Sequence, residues 1–388
     1  MVQTRNPFLS AVGARLRLGR AHYPLEVSVT VGTEVVDGKP FIRVWFRTSG
    51  CTYDRQGLCT MCNYGVGDRV AETVAEDIRV ALRGVQPDGQ STVLVSPSGS
   101  MFDPREVPDE IRASILTAVA ETEVGTVVCE TRPETVSDES MREFAAAISP
   151  KAGVIELGLE SADPWVLQWC VNKRLDPEEF RRAVEVCHRH GLRVLANVSL
   201  GTAFLPEGTA IRDAERAVRW AMECGADGCV VFPLHVREWT VLAWLWRHGW
   251  YQPPSLWSLV EVLQRLAEDY PGAVTPAWYF DYNAGLPQAS AGMPILASPT
   301  TCPYCLERVV RGLDQYRDSA DRAVLDKLVS TACSCREAWR AATAESGLDL
   351  REVARAYGEL GASVMGREWW AIHGTQVVDE LLEARREP

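Results

Sequence analysis

Long apolar runs, lysine and positive charge are scarce in this chain of 388 residues. No stretch of about 18 consecutive apolar residues occurs, so no membrane-spanning helix is expected. The opening MVQTRNPFLSAVGARLRLG mixes charged and apolar residues too finely for a secretory h-region, and a cytoplasmic location is expected. Lysine stands only at Lys39, Lys151, Lys173 and Lys327 among 40 basic residues. That arginine bias points to a GC-rich genome such as an actinobacterium's and says nothing of chemistry. A formal charge of −12 and a pI near 5.2 disfavour a nonspecific grip on a phosphate backbone, although a local arginine patch could still hold RNA. Apolar residues at 46% and charged residues at 24% are ordinary for a globular chain. The length suffices for one large core with an appendage.

What the chain does have is a strand–helix alternation and twelve cysteines. Six β-branched runs (42–46, 91–95, 125–129, 153–158, 193–200 and 228–233) are separated by helix-period segments. One such segment is DPEEFRRAVEVCHRHG (176–191), with an acidic start and a glycine stop. This alternation predicts a parallel sheet or barrel with βα crossovers. Function then belongs at the carboxyl ends of the strands. Those ends read RTSGC, SPSGS, ETRPE, GLES, SLGT and PLHVRE, all polar or glycine-bearing. The expected architecture is α/β, a partial (β/α)6 TIM-type barrel with a C-terminal cysteine-bearing helical extension. We place an N-terminal extension at 1–40, the barrel at 41–285 and a C-terminal region at 286–388. The last boundary falls where the pattern loosens into a stretch rich in Pro, Gly and Ala.

Disulfides are disfavoured in a reducing compartment, so clustered cysteines read as metal ligands. Cys51-x7-Cys59-x2-Cys62 lies in the loop after the first of the six strands, in FRTSGCTYDRQGLCTMCNYG (46–65). A four-iron cube on three cysteines keeps one iron free of protein. That iron can take the amino and carboxylate groups of S-adenosylmethionine (SAM), whose reductive cleavage gives a 5′-deoxyadenosyl radical. The competing reading is zinc, with Cys59 and Cys62 as half a site. Structural zinc takes four closed ligands, and no fourth Cys or His stands nearby.

The sequence resembles the radical SAM family that contains the archaeosine-forming lyase, with more distant likeness to the Elongator catalytic subunit. The resemblance covers most of residues 41–340. It rests on RTSGCTYDRQGLCTMCNYG, SGSMFDPREVP (98–108), ETRPE (130–134), ELGLES (156–161) and NKRLDPEEFRRA (172–183). It continues in LHVREWTVLAWLWRHGWYQPPSLWSLVEVL (234–263), CPYC (302–305) and CSCREAW (333–339). The seven-residue first gap departs from the commoner three of radical SAM loops, and this group shares the long gap.

The resemblance implies that Cys51, Cys59 and Cys62 hold a [4Fe-4S] cluster and that Ser98, Gly99 and Ser100 take the methionine end of SAM. Gly99, lacking a side chain, would let backbone approach a small ligand, whereas the plain alternative is a turn. Glu130 and Arg132 would approach the ribose or carboxylate of the cofactor, or else form a surface ion pair worth little. Glu160 and Asn197 would bind the same nucleoside. Met61 stands where many such loops place an aromatic beside adenine, and Tyr64 would take over that role.

Cys302-x2-Cys305 and Cys333-x-Cys335 offer a second set of four thiolates. Their tight Cys-x-Cys spacing favours a second [4Fe-4S] cluster, with zinc as the alternative. A zinc ion would clasp the C-terminal part to the barrel. A cluster could relay electrons, hold substrate or surrender sulfide. The remaining cysteines, Cys129, Cys170, Cys187, Cys224 and Cys229, lack ligand spacing and read as core residues. The tryptophan-rich EWTVLAWLWRHGWYQPPSLW reads first as a helix pair packed on the barrel. The functional alternative is a pocket wall with His235, Arg237, His248 or Tyr251 facing inward.

Three functions are compatible with this reading. The first is sulfur insertion or exchange in a sugar or nucleoside, with the second cluster as donor, as in the thiosugar step of albomycin formation. The second is an archaeosine-type lyase acting on a tRNA base. The third is a zinc-stabilised binding protein without radical chemistry. The enzyme readings require an electron donor such as flavodoxin or ferredoxin. They also require a substrate, expected to be a small molecule of sugar or nucleoside type.

Overall fold

Each of the six β-branched runs becomes a strand of one curled sheet. The computed structural model describes residues 6–20, 29–65, 67, 70–280, 294–344 and 347–385. In chain order the strands are β1 Val29–Val36, β2 Lys39–Phe46, β3 Thr92–Pro97, β4 Thr126–Thr131, β5 Ala152–Glu160, β6 Arg193–Leu200, β7 Gly228–Pro233, β8 Val236–Arg237, β9 Val274–Pro276 and β10 Ile295–Ala297. The main sheet runs β1-β2-β3-β4-β5-β6-β7-β9, parallel from β2 onward. β10 pairs separately with β8. This is the expected partial TIM-type barrel, with four further strands, β1, β8, β9 and β10, that are short or lie at an edge and escape periodicity.

The first addition is β1, which pairs antiparallel with β2 from Val29↔Phe46 to Val36↔Lys39. Its turn is Asp37-Gly38, both left-handed (φ 51° and 67°), the pairing that suits a two-residue hairpin. Within the stretch expected as an N-terminal extension, β1 is therefore the sheet's first strand. The same stretch carries α1, Pro7–Leu16.

Helices cover the convex face: α2 Val74–Val85, α3 Asp109–Ala120, α4 Asp138–Ile148, α5 Pro177–Arg189 and α6 Glu207–Glu223. The alternation of each strand sends one set of side chains outward to them. Val93, Val127, Ile155, Val194, Ala196 and Val231 are fully buried there. The five cysteines without ligand spacing are all buried, and Cys187 rests its thiol 3.7 Å from the Met141 sulfur. They are core residues, as read. On the concave face Leu94, Val128 and Val154 form a small apolar plug with Phe41 and Leu195. Ser96, Glu130, Glu156 and Asn197 follow them toward the carboxyl ends.

The tryptophan-rich segment forms the expected helix pair, α7 Val241–Arg247 and α8 Leu256–Leu266. Of its candidate polar residues, three are engaged internally. His235 lies between Ser298 Oγ and the Trp278 carbonyl, His248 bonds the Trp244 carbonyl of its own helix, and Tyr251 donates to the Gly201 carbonyl. Arg237 alone of them reaches the site described below.

The boundary expected near residue 285 lies outside the described residues. Beyond it come α9 Pro303–Ser319, α10 Arg322–Ser330, α11 Ser334–Ala344, α12 Leu350–Leu360 and α13 Arg367–Ala384. α9 lies across the two open edges of the sheet. Arg317 pairs with Glu34 of β1 at 3.0 Å, and its carbonyl accepts from the Asp37 amide. Its immediate neighbour Tyr316 donates its hydroxyl to the Val274 carbonyl of β9 at 3.3 Å. The C-terminal region thus shuts the slot that an unclosed barrel leaves.

Local signals were reliable where they were redundant. In α5, Asp176 accepts from Glu178 N, and Glu179 reaches back to the Asp176 amide, a capping box around Pro177. Asp176→Ala is expected to cost about 1 kcal/mol, read as a lower urea midpoint with an unchanged slope.

Candidate active site

Cys51, Cys59 and Cys62 share the loop that follows β2, and charge rather than regular structure holds that loop in place. Cys51 and Cys62 are half-buried and Cys59 is buried. The Cys51 amide bonds the Tyr64 carbonyl, closing the loop on itself at 3.0 Å. The Cys59 and Thr60 amides bond the Asn172 and Val171 carbonyls of a segment that follows β5. Cys59 is left-handed at φ 56°, a conformation that costs a non-glycine residue about 1 kcal/mol and collects at functional sites.

Burial pushes the Cys51 thiol up to about 11 and the Cys62 thiol up to about 12, and it raises Cys59 as well. Neighbouring thiols add to the rise at Cys59 and Cys62. Three bare thiolates here would repel one another in a poorly solvated place. A positively charged metal core removes that penalty, so the donor set fits an iron–sulfur cluster.

Beside Cys51 stands a net of carboxylates around Arg132. The Arg132 guanidinium bonds Asp103, Glu106 Oε1 (2.8 Å) and Glu134 Oε1 (2.7 Å), and it contacts Cys51 Sγ at 3.6 Å. Its plane lies 4.5 Å from the Tyr53 ring centre. Glu106 in turn accepts from the Thr52 and Ser100 amides, both at 2.7 Å. Arg132 was expected beside the cofactor's ribose or carboxylate. Within the protein its donors face three carboxylates, which braces the loop.

The SPSGS turn is likewise engaged within the protein. Ser98 Oγ accepts from the Thr48 amide at 2.9 Å, and Ser100 Oγ accepts from the Arg132 amide at 2.8 Å. A Cβ on Gly99 would fall 2.1 Å from Glu106 Oε2 and 3.5 Å from Cys51 Cα. Gly99 therefore admits the carboxylate that joins the two loops. The reason expected for this glycine was ligand approach; the clearance it provides here is to Glu106.

The inner wall carries Glu130, Glu156, Glu160 and Asn197 on neighbouring strands. Glu130 and Glu156 are register partners across β4 and β5. Burial and the Glu130 charge push Glu156 up to about 8, and burial raises Glu130 too. Ser96 Oγ donates to Glu130. Glu160, left-handed at φ 69° where the β5–β6 register shifts, is held by Lys173 Nζ (3.0 Å) and Ser199 Oγ (2.6 Å). Asn197 Oδ1 is buried without a hydrogen-bond partner among the described residues. A ligand hydroxyl or amine would satisfy it. Tyr64, expected near an adenine, carries the Arg237 guanidinium 5.1 Å from its ring centre, and Arg237 also lowers the thiol of Cys62 against the rise from burial.

The second cysteine set converges. The thiols of Cys302, Cys305, Cys333 and Cys335 all lie within 4.8 Å of one another, close enough to hold a metal ion. Individual Sγ–Sγ separations are 3.9 Å (Cys302–Cys333), 3.3 Å (Cys333–Cys335) and 3.7 Å (Cys335–Cys305). Hydrogen bonds from the neighbouring thiols, Cys305 foremost, bring Cys333 down to about 6. Trp257 Nε1 donates to Cys335 Sγ at 3.4 Å, and Arg308 donates to Cys305 Sγ at 3.2 Å.

This set lies at the same end of the barrel as the first. Cys302 caps the start of α9, five residues after β10, and β10 pairs with β8 just beyond the carboxyl end of β7. The β8 segment also touches the first cysteine loop. Asn63 Nδ2 donates to the Glu238 carbonyl, and the Leu242 amide donates to the Thr60 carbonyl.

Sequence reasoning missed Arg17, Arg20, Asp54, Asp103 and Glu106. Asp103 and Glu106 lie inside the SGSMFDPREVP block, and two acids flanking a Pro-Arg pair after a strand end were the available signal. Arg17 and Arg20 lie in a segment without motif, and only the folded chain brings them under the loop.

Residues 45–230 match the sequence profile of the Radical SAM superfamily. Archaeosine synthase subunit beta of Methanosarcina acetivorans is 29% identical over 318 residues, spanning 80% of this chain and 87% of the relative. The protein of the same name from Thermococcus kodakarensis is 27% identical over 314 residues, spanning 78% and 92%. Among solved structures, the archaeal Methanocaldococcus infernus Elp3 lacking its N-terminus matches 62% of this chain and 58% of its own, at 16% identity and a TM-score of 0.45. Residues 45–230 therefore form a radical SAM domain, in a chain homologous to archaeosine synthase subunit beta.

Proposed function

We propose that this chain is a radical SAM enzyme whose substrate is a nucleoside, free or within tRNA, and that it cleaves or rearranges that substrate in the manner of a lyase. Homology to proteins named archaeosine synthase subunit beta along about four fifths of the chain carries this reading. When bound, a [4Fe-4S] cluster with SAM on its open iron supplies the electron that splits the sulfonium and yields a 5′-deoxyadenosyl radical.

The chain's own residues have separable tasks. Cys51, Cys59 and Cys62 supply thiolates, and the Arg132–Glu106 net keeps Cys51 from shifting. Ser98, Gly99 and Ser100 shape the turn beside it. Glu160 and Asn197 present acceptors toward the ribose or base of a nucleoside, with Glu130 and Tyr64 flanking them. Glu156, whose carboxyl burial and the Glu130 charge raise, is the wall's candidate donor to a substrate carbonyl or ring nitrogen.

A second reading is sulfur-for-oxygen exchange in a sugar or nucleoside, with the second cysteine set carrying a sacrificial cluster. Its support is position: the second set stands at the barrel end where substrate enters, joined to the first loop through β8. The thiol spacing speaks for the lyase reading. A single tetrahedral ion with ligand bonds of about 2.3 Å separates its sulfurs by roughly 3.8 Å. A cubane would push four ligand sulfurs out to about 6 Å. A lone ion carries no sulfide to give.

Anaerobically reconstituted protein separates the two readings. Loading with 34S-sulfide and turning over the true substrate should leave the product unlabelled, with many turnovers per protein. Labelled product after about one turnover would instead establish the donor. Replacing Cys51, Cys59 and Cys62 with Ala should abolish 5′-deoxyadenosine formation. Replacing Cys302 and Cys305 should leave some SAM cleavage.

Gly99→Val should remove cluster and SAM binding together, because its side chain collides with Glu106 beside Cys51. Iron analysis and calorimetric titration of the same preparation check this. Full iron content with weakened SAM binding would mean that the glycine serves the ligand alone.

A further inference from the structure

Beneath the first cysteine loop lies a buried charge cluster that the reading above leaves without a role. Arg17, at the end of α1, is 4% exposed in its side chain, and Arg20 is 8% exposed. Both pair with Asp54, which is fully buried three residues after Cys51. The far amino group of Arg17 donates to three backbone carbonyls of the loop: Leu58 (2.7 Å), Cys59 (3.0 Å) and Cys62 (3.0 Å). Arg20 donates to a fourth, the Asn63 carbonyl, at 3.1 Å. Asp54 also accepts from the Gly65 amide, so a single carboxylate reaches the far end of the loop.

The packing around this cluster has no slack. A Cβ on Gly13 would stand 2.4 Å from the Gly57 carbonyl oxygen and 2.5 Å from an Arg17 nitrogen. A Cβ on Gly57 would stand 2.0 Å from the Ser10 carbonyl oxygen. Asn172, whose carbonyl takes the Cys59 amide, also links Asn6 and Ser10 of the α1 region. Two glycines and one asparagine thus seat α1 directly against the loop, and the arginine fork spans what remains.

We propose that Arg17 is a positioning residue for the radical SAM cluster, fixing the carbonyls of two ligand cysteines and supplying the positive charge that favours the reduced cluster. The inference rests on Cys51, Cys59 and Cys62 holding that cluster. Two arginines against one aspartate leave one net positive charge, buried where water screens it little. A cluster on three thiolates becomes more negative when it accepts an electron. A fixed cation next to its ligand backbone therefore raises its potential. Only arginine serves both ends, because its planar fork can bond a carboxylate on one edge and carbonyls on the other.

The two signs of charge make the test specific. In the reconstituted full-length protein, the midpoint potential is followed by electron paramagnetic resonance during a reductive titration. Iron loss to a ferrous chelator is timed on the same samples. Arg17→Gln should shift the midpoint to more negative potential and speed iron loss at least about fivefold. Asp54→Asn, which removes the opposing charge, should shift the midpoint the other way. Arg17→Lys keeps the charge without the fork, so it should keep the native potential and still lose iron faster.

Thermal melts of the same variants report whether each has folded. A merely structural role would move both potentials in the same direction, or neither, and that outcome overturns the proposal. So does native iron retention in Arg17→Gln. If no iron enters any preparation, including the wild type, the cysteine assignment has failed rather than the role of Arg17.

Discussion

A sheet that curls without closing leaves two rows of unpaired backbone groups and a slot between them. The two edges of this barrel and the helix laid along them answer that constraint. β1 folds back on β2 at one edge, and β9 adds a short strand at the other. α9 then lies across both, gripping β1 through Arg317 and β9 through Tyr316. Because α9 begins at Cys302, the closure of the slot and the assembly of the second cysteine set are parts of one arrangement.

Within the barrel the first cysteine loop is held differently. It has one short helix, Thr52–Arg55, and no strand. Its order comes from buried ions: Arg132 with its three carboxylates on one side, Arg17 and Arg20 with Asp54 on the other. Buried ion pairs seldom add net stability, since desolvation offsets attraction, but breaking one leaves a charge that nothing compensates. Such pairs suit a loop that must keep one shape while its ligands change charge.

Much of this was legible in the chain. The six central strands were read within about three residues at either end, because parallel strands buried on both faces are continuous β-branched runs. The two cysteine sets and the polar strand ends announced the site. What escaped were features without periodicity. β9 has three residues and β10 has three, too few to alternate. The internal partners of Ser98, Ser100 and Arg132 were not legible, because a sequence shows that polar groups stand at a strand end without showing which neighbour claims them. Glu106 claims Arg132 and two amides at once, and only the Cβ clearance at Gly99 reveals why a glycine precedes it.

The position of Cys302 at the head of α9 places the second cysteine set at one end of the helix that covers the slot. If the second set carries an ion, a chain made under metal starvation keeps α9 on β1 and β9 through Arg317 and Tyr316 but loses the tie that fixes its first turn. The helix would then fray from its cysteine end, and the metal would set how far the slot stays covered without deciding whether the barrel forms.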